Sequence, residues 1–401
     1  MRLKRAWMVG AATAVAAVAA AAVGVPALAA TSNNGVHLSA VEHVAPGVDY
    51  STFDTDTSHG SAHGYLLKID LSQKGVKVGA LYPGHVGATG VITSQADRVG
   101  AVAGINADFF NIGETGATVG PMVIDGTDYK AGVPGAQRFG PSLPPGDTND
   151  TVFGITADGT PAISDLKLDG TATGPDGAIT LSGLNQYAIT VGGVGVFTSQ
   201  WGDATRKRAT CGTDDDRNGP CADKTKEVTV TDGKVSAVSD TPGSGAIAKN
   251  QQVLVARDDG VKQLDGLAKG DSVKVDYKLA SPDGVKFANA VGAMPIVKDA
   301  KPLQLDDSAI APRTAAGDSA NGKTFYMVAV DGRNASSVGA SLKSLAAIMT
   351  KLGADDAVNF DGGGSTTLVA RKAGNTATSV RNHPSDGSQR SVGNGLGVFS
   401  S

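Results

Sequence analysis

The sequence predicts an α+β fold in which a mixed or antiparallel sheet core carries packed helices and a β-rich inserted module. Three observations support this class. The 401-residue chain has 54 glycines and only 5% aromatic residues, which is typical of a turn-rich extracellular protein. Short alternating apolar runs separated by Asp-Gly and Gly-Gly turns fill its middle. Near the C terminus, a helical apolar pattern lies between two strand-like runs.

These patterns divide the chain into a signal peptide, a leader, two parts of one main domain and an insertion. Basic residues near the start precede an apolar run rich in Ala and Val that ends at Ala29. We therefore predict a secretory signal peptide over residues 1–29, and a retained membrane anchor is the weaker alternative. The other predicted segments are a weakly ordered leader at 30–60, main-domain parts at 61–150 and 291–401, and the β-rich insertion at 151–290.

Charge and cysteine content narrow the function classes. The net charge of −4 argues against nucleic acid or an anionic membrane surface as the main partner. No stretch after residue 29 is apolar enough to span a bilayer, so we expect a secreted protein with no membrane span after signal cleavage. Cys211 and Cys221 lie in one polar loop, and in an exported protein we expect them to form a disulfide.

In the N-terminal part of the main domain, β-like runs at 65–70 and 76–81 predict a hairpin turning at Lys74-Gly75. Thr93 is placed to cap a short helix over residues 94–99. A small apolar strand at 101–105 then precedes a polar and aromatic cluster.

The C-terminal part has more regular signals. A buried strand is predicted at 325–330, directly before Asp331-Gly332-Arg333. Ser341 is expected to cap a helix whose apolar residues repeat every three to four positions, and Gly353 is expected to end it. Because this order of strand, helix and strand is regular, we expect it to form part of the core.

Three consecutive glycines separate strands predicted at 357–360 and 366–370. Gly362, Gly363 and Gly364 remove every side chain between Asp361 and Ser365, so that successive N–H groups could form a concave anion site. The alternative is a β-bulge or a sharp hairpin, which explains one glycine better than three. A Walker loop is excluded because no Gly-Lys-Ser/Thr follows.

Several motifs in order give the chain a resemblance to a known family. They are Asn106-Ala107-Asp108-Phe109-Phe110, Val123-Ile124-Asp125-Gly126, Arg313-Thr314-Ala315-Ala316-Gly317, Val330-Asp331-Gly332-Arg333, Asn359-Phe360-Asp361-Gly362-Gly363-Gly364-Ser365-Thr366-Thr367, and Val380-Arg381-Asn382-His383-Pro384-Ser385-Asp386-Gly387 with Arg390. Together they resemble the phosphodiester glycosidase family over about residues 65–130 and 290–400. The resemblance implies a hydrolase that acts on sugars linked through a phosphodiester. Ala107 stands where the family has glycine.

Cleavage of a sugar–phosphate bond at the anomeric carbon makes specific demands on a site. The reaction produces an oxocarbenium-like centre and a phosphate leaving group, so we expect carboxylates near that carbon and cationic or N–H donors around the phosphate. Asp108, Asp331 and Asp361 are the candidate catalytic carboxylates. A separation of about 5–5.5 Å between two of them would favour retention, and about 6.5–9.5 Å would favour inversion.

The candidate substrate-binding residues are arginines, asparagines and the glycine loop. A guanidinium fork matches phosphate oxygens, and an asparagine amide can hold a sugar hydroxyl or the main chain, although asparagine at a strand end often only closes a turn. The predicted set is Asn106, Arg313, Arg333, Asn359, Gly362, Gly363, Gly364, Ser365 and Arg390. His383 could assist proton transfer, or it could be a turn residue before Pro384.

No cofactor is required for this chemistry, and one pattern indicates a structural metal at most. Asp214, Asp216 and Asn218 alternate as the ligands of a calcium loop do, with Gly219 at the sixth position. Thr225 occupies the twelfth position instead of Glu, so a solvated acidic turn is the alternative.

Two other function classes stay open beside a secreted hydrolase acting on a cell-envelope or extracellular glycan. One is a non-catalytic glycan-binding or exopolysaccharide-assembly protein that keeps the pocket without turnover. The other is a phosphodiesterase that cleaves the P–O bond. The oligomeric state cannot be read from the sequence.

Overall fold

The structure is a computed structural model that describes residues 32–33 and 35–401. The predicted signal peptide, residues 1–29, lies outside the described residues. Two α-helices, α1 (Ile92–Val99) and α2 (Leu342–Leu352), occur in the described part of the chain. Neither has the length and apolar character needed to cross a membrane.

Strands make up most of the secondary structure. Those before residue 150 are β1 (Ser32–Asn33), β2 (Val36–Leu38), β3 (Glu42–Ala45), β4 (Val48–Thr57), β5 (Gly60–Asp70), β6 (Lys77–Leu81), β7 (Ala103–Asn106), β8 (Met122–Ile124) and β9 (Thr127–Lys130). Those of the predicted insertion are β10 (Thr151–Thr156), β11 (Pro161–Asp165), β12 (Lys167–Gly174), β13 (Gly177–Thr180), β14 (Gly183–Leu184), β15 (Val194–Phe197), β16 (Thr225–Thr231), β17 (Lys234–Ser239), β18 (Gln251–Arg257) and β19 (Lys274–Ala280).

The remaining strands precede and follow α2 in the sequence. They are β20 (Phe287–Gly292), β21 (Met294–Lys298), β22 (Lys301–Pro302), β23 (Arg313–Asp318), β24 (Thr324–Val330), β25 (Asp356–Asn359), β26 (Leu368–Arg371), β27 (Thr378–Val380) and β28 (Gly395–Phe399). Short 3-10 segments occur at Gly135–Gln137, Lys207–Thr210, Asp258–Gln263 and Gly363–Ser365.

The strands form five sheets. The largest has ten strands in the order β1-β2-β4-β5-β24-β23-β25-β21-β22, with β3 on β4, and a second has the order β27-β26-β7-β28-β6. The other three are β11-β10-β20-β8-β9, β13-β12-β19 and β14-β15-β18-β16-β17. Pairing among these neighbours is antiparallel except between β14 and β15.

The expected α+β class with packed helices is therefore wrong. The helices have 8 and 11 residues, so they cover local faces and form no layer of their own. The physical reason is that the short apolar runs between turns pair with one another throughout the chain. This pairing includes residues 36–57, where we expected a weakly ordered leader and where three strands lie.

Individual elements also differ from the expectations. The predicted hairpin at residues 65–81 does not form, because β5 pairs with β4 and β24 whereas β6 pairs with β28 in another sheet. The short helix α1 begins after Val91, without a capping side chain from Thr93. The prediction for α2 is confirmed, since the Ser341 side chain accepts from the Ser344 amide and Gly353 closes the helix with a φ of 104°.

Both faces of β24 are buried. Met327 faces the main core between the sheets, where Phe153 and Phe325 stack with ring centroids 5.2 Å apart. The neighbouring Val328 faces the other way, into a cluster with Leu345 of α2. This double burial explains why β24 is a nearly continuous apolar run, and it fixes the strand ends that carry polar side chains.

Candidate functional site

The candidate site lies where one end of the ten-stranded sheet meets the sheet that contains β7. The start of β23 lies beside the end of β24, since Arg313 pairs with Val330. The end of β25 lies next to β23 as well, because Asn359 pairs with Ala315. Antiparallel pairing thus brings together motifs that are far apart in sequence.

Asn106, at the end of β7, joins the two sheets. Its Nδ2 donates to the Asp361 carbonyl oxygen over 2.7 Å. Its Oδ1 accepts from the Thr314 hydroxyl at 2.8 Å and from the Thr367 amide at 2.9 Å. Asn106 is 1% exposed, so it holds the main chain rather than facing a ligand.

Residues 361–365 form a tight turn, called the glycine bend from here on. A Cβ added to Gly362 would lie 2.5 Å from the Pro312 carbonyl oxygen, and one added to Gly364 would lie 2.1 Å from Nη2 of Arg390. Gly363 has a positive φ of 59°. Close approach and backbone conformation together explain three consecutive glycines.

The amides of the glycine bend are partly used inside the bend. The Gly363 amide donates to the Pro312 carbonyl over 2.9 Å, and the Ser365 amide donates to the Gly362 carbonyl over 3.1 Å. The expected concave array of free N–H groups is therefore incomplete. Anion binding at this place depends more on the arginine side chains around it.

Two arginines flank the glycine bend. Arg390 places Nη1 3.4 Å from the Ser365 hydroxyl, and its Nη2 donates to Asp386 over 2.6 Å. The exposed Arg333 has its guanidinium 3.5 Å from the position that a Cβ of Gly363 would occupy. Two positive charges thus lie close to the bend.

Arg313 lies at the same strand end but is used differently. It is 6% exposed, and its Nε donates to the Ala340 carbonyl over 2.9 Å. Its Nη2 donates to the Ala309 carbonyl. Two of its nitrogens therefore hold the segments before and after the β23–β24 hairpin, which is the geometry of a structural arginine.

Asp361 begins the glycine bend. The residue is partly exposed, but neighbouring atoms enclose its carboxyl. Burial raises the pKa of this carboxyl to about 7, although Ser365 and Arg390 favour its charged form. The charge of Asp108 acts in the same direction as burial. A carboxyl of this kind can change its protonation state near neutral pH.

Asp108 is the second carboxyl at this place and is 3% exposed. Its Oδ2 accepts from the Gly120 amide at 2.6 Å, and its own amide donates to Asn394 Oδ1 over 3.0 Å. A Cβ on Gly292 would lie 2.3 Å from Oδ2, so glycine is needed there. Burial raises the pKa of Asp108, which favours the protonated form.

Two cations that the sequence patterns did not indicate lie near these carboxyls, Lys130 at the end of β9 and Arg138 in the segment between β9 and β10. The Arg138 guanidinium lies 5.1 Å from the centroid of the Phe109 ring, and it interacts electrostatically with Asp108 and Asp361. Lys130 is fully buried, and burial lowers the pKa of its amine to about 7. Neither residue lies in a motif, and only their positive charge could have suggested a role.

Asp331 lies at the end of β24 and is 1% exposed. Its Oδ2 accepts from the Tyr65 hydroxyl at 2.9 Å and lies 2.9 Å from Nδ1 of His383. Its Oδ1 accepts from the His383 amide at 3.0 Å. Both carboxylate oxygens are therefore engaged inside the protein. Tyr65 was not identified from the sequence, because nothing in β5 distinguishes it from a core tyrosine.

Several buried polar atoms around the glycine bend have no hydrogen-bond partner within the protein. They are Nη2 of Arg138, Oδ1 of Asn359 and the hydroxyls of Thr366 and Thr367. Buried polar groups normally have partners, since leaving one unpaired costs about 1–3 kcal/mol. Their concentration at both ends of the bend is typical of a binding site.

Two of the predicted calcium ligands accept hydrogen bonds from nearby main-chain amides. Oδ1 of Asp214 accepts from the Val191 amide at 3.1 Å, and Oδ1 of Asp216 accepts from the Asn218 amide at 2.8 Å. The nearby Cys211 and Cys221 form the expected disulfide. Calcium binding in this loop stays a prediction.

Comparison with a library of family models gives one result for this chain. Residues 225–399 match the model described as phosphodiester glycosidase. The resemblance inferred from the motifs is thereby confirmed over these residues, which include Asp331, the glycine bend and Arg390. Asn106 and Asp108 lie outside the match. No curated protein matches the sequence.

Solved structures with a similar fold include two bacterial proteins. A hypothetical protein from Synechocystis has a TM-score of 0.71 and 20% identity, with 91% of this chain and 64% of that chain covered. A protein described as exported, from Burkholderia pseudomallei, has a TM-score of 0.64 and 23% identity, with 84% and 74% covered. This chain thus spans less than two thirds of the Synechocystis protein. At these identities the likeness concerns the fold alone.

Proposed function

Because residues 225–399 match the phosphodiester glycosidase family, we propose that this chain hydrolyses a sugar linked to phosphate through its anomeric carbon. The observation that carries the proposal is the meeting of two enclosed carboxyls, Asp108 and Asp361, with Arg333 and Arg390 at the glycine bend. Each of these four groups suits one part of the reaction.

The arginines are assigned to the phosphate. A phosphodiester carries one negative charge spread over two free oxygens, and a guanidinium can donate to both. Arg390 lies against the glycine bend at Gly364 and Arg333 lies against it at Gly363, because neither glycine has a side chain that would keep the guanidinium groups away. Arg313 does not face the phosphate in this assignment; it stabilises this end of the sheet by donating to the Ala309 and Ala340 carbonyls.

The carboxyls are assigned to the sugar. When the bond between the anomeric carbon and phosphate breaks, positive charge develops on the sugar ring, and an ionised carboxylate stabilises it. Asp361 begins the glycine bend and Arg390 favours its charged form, so we assign it to the anomeric carbon. Asp108 lies deeper, and its charge and that of Asp361 oppose each other. The two carboxyls therefore disfavour being ionised at the same time.

Secretion is part of the same proposal. The basic and apolar pattern of residues 1–29 and the Cys211–Cys221 disulfide both suit an exported protein. The structurally similar Burkholderia protein is described as exported. A cell-envelope or extracellular glycan that contains a sugar phosphodiester would then be the natural substrate.

The proposal can be tested with purified protein that lacks residues 1–29. It is incubated with a panel of methyl phosphodiesters of sugar 1-phosphates, and released reducing sugar is measured for the wild type and Asp361→Asn. We expect release by the wild type and almost none by the variant. If calorimetry shows binding of these compounds without any release, the chain is a glycan-binding protein instead. If there is neither binding nor release, the assignment is wrong.

A further inference from the structure

We propose that His383 is the base that removes a proton from the attacking water, with Asp331 and Tyr65 as its positioning residues. This inference deepens the proposed function and rests on it. It also changes the expected role of Asp331, which the sequence suggested as a carboxylate acting on the sugar directly.

Asp331 cannot reach a substrate itself. The residue is 1% exposed, and its oxygens are taken by the Tyr65 hydroxyl, the His383 amide and the His383 ring. A carboxylate that is enclosed and fully engaged can act only through a neighbour. The His383 ring is that neighbour, since its Nδ1 lies 2.9 Å from Oδ2.

The neighbours of the His383 ring determine which of its nitrogens carries the proton. Nδ1 faces the Asp331 carboxylate and lies 2.7 Å from the Tyr65 oxygen, whose own proton goes to the same carboxylate. An ionised carboxylate only accepts hydrogen bonds, so the network assigns the proton to Nδ1. Nε2 is then the free acceptor. The side chain is 79% exposed, so Nε2 is open to water.

The residues on both sides of the His383–Asp331 contact lie against the glycine bend. Asp331 lies two residues before Arg333, whose guanidinium lies over Gly363. On the other side, the segment that contains His383 continues to Asp386, whose Oδ2 would be 2.2 Å from a Cβ on Gly364. The chain on both sides of the His383–Asp331 contact therefore touches the bend. The ring therefore lies close to the place that we assign to the sugar phosphodiester.

The chemical step is a hydrolysis with all atoms accounted for. Nε2 takes one proton from water while the water oxygen forms a bond to the anomeric carbon. The bond from that carbon to the phosphate oxygen breaks, and its electron pair leaves with the phosphate monoester. The positive imidazolium is stabilised by the Asp331 carboxylate, and it then releases its proton to solvent.

The chain supplies a matched control in His43. Its Nδ1 lies 2.6 Å from Oδ1 of Asp49, so it is also a histidine paired with an aspartate. This pair lies at the other end of β24, since Asp49 pairs with Lys68 and Lys68 pairs with Tyr326. A general effect of removing a surface histidine would appear in both variants, whereas the proposed role would appear in one.

The experiment compares the wild type, His383→Ala, His43→Ala and Asp361→Asn on a sugar 1-(methyl phosphate). We expect His383→Ala to lower kcat by about 10²- to 10⁴-fold, the usual range for a general base, with KM changed less than about threefold. Added imidazole should restore part of the lost kcat in this variant and should not restore Asp361→Asn. His43→Ala should retain wild-type kcat. Asp331→Asn and Tyr65→Phe should lower kcat without rescue by imidazole, since their ring is still present.

The outcomes separate this inference from the function on which it rests. If His383→Ala keeps at least half of the wild-type kcat while Asp361→Asn is inactive, the hydrolase proposal stands and the role of His383 is wrong. A large loss that imidazole does not restore, accompanied by a lower melting temperature, would show a structural role and would also overturn the inference. If the wild type releases no sugar at all, both proposals are rejected.

Discussion

The two ends of β25 resemble each other in charge and differ in surroundings. At its start, Asp355 and Asp356 lie close to Asp299, near enough to share a cation, and next to Asp318. At its end lies Asp361. Burial raises the pKa of Asp318 and of Asp361 to about 7 in both cases. By this measure alone, the two ends would be equal candidates for a site.

The neighbours distinguish the two ends. Around Asp318 the main charges are other carboxylates, which raise its pKa further. Around Asp361, Arg390 and Ser365 favour the charged form, and buried polar atoms of Asn359 and Thr366 have no partner within the protein. A raised carboxyl pKa therefore shows burial, whereas opposite charges and unpaired polar atoms show where a ligand could bind.

The largest expected effect is a difference in activity between variants of Asp361 and Asp318. Asp361→Asn should lower kcat/KM for a sugar phosphodiester by roughly 10³-fold or more, because the developing positive charge loses its carboxylate. Asp318→Asn should change it less than about twofold. Steady-state kinetics on the two purified variants test this. Equal losses in both variants would mean that the two ends do not differ in function.

A smaller effect is expected from the cations at each end. Arg390→Ala should raise KM for the phosphodiester by roughly 10- to 100-fold, since a charged hydrogen bond contributes about 1.5–3 kcal/mol. Hydrolysis of a neutral aryl glycoside of the same sugar should change little. Lys298→Ala, near the acidic end, serves as the control and should leave both substrates unaffected. A similar loss on both substrates would contradict the assignment of Arg390 to phosphate.

A methyl group added at the glycine bend should lower activity, whereas one added at an open position should not. Gly364→Ala places a Cβ against the ends of the Arg390 and Asp386 side chains, which can move aside. We therefore expect a folded protein with about tenfold lower kcat/KM. Gly135→Ala, where the added Cβ meets open space, is the matched control. Kinetics and circular dichroism of both variants provide the test, and unchanged kinetics for Gly364→Ala would show that the bend tolerates a side chain.

The smallest effect concerns stability, and here the two ends should behave alike. The folded pKa of Asp318 and of Asp361 is about 7, above the unfolded value of about 3.9, so the folded state holds the proton more tightly. The resulting stabilisation is complete below pH 4 and is lost as pH rises through 7. An Asp→Asn variant has no such pH-dependent stabilisation. Its free energy of unfolding relative to wild type should therefore be higher at pH 8 than at pH 5 by roughly 1–3 kcal/mol. Urea unfolding at both pH values tests this, and a gain that is equal at both would contradict the raised pKa.

The sequence predicted those parts of the molecule that depend on local pattern. Ser341 and Gly353 bound α2 as expected, and the strand before the glycine bend ends at Asn359. The fold class was missed because partner choice among many short strands depends on contacts between distant segments. The separation of β5 from β6 into two sheets shows this directly.

The sequence motifs identified residues of the candidate site, but they did not show which of these residues contact one another. The motifs indicated Asp108, Asp361 and Arg390, but the engagement of Asp331 by Tyr65 and His383 requires three separate segments to meet. Arg138 comes from a segment without periodicity, so no pattern distinguished it from a surface arginine. The roles of all these residues stay proposals until the variants are measured.

We propose cleavage between the anomeric carbon and the phosphate oxygen, and the most direct test is to locate the bond that breaks. The wild-type protein is incubated with a sugar 1-(methyl phosphate) in ¹⁸O-labelled water, and the products are analysed by mass spectrometry. If Asp361, after the end of β25, acts on the anomeric carbon, the label appears in the released sugar and the phosphate monoester is unlabelled. Label in the phosphate would show P–O cleavage and would contradict the account.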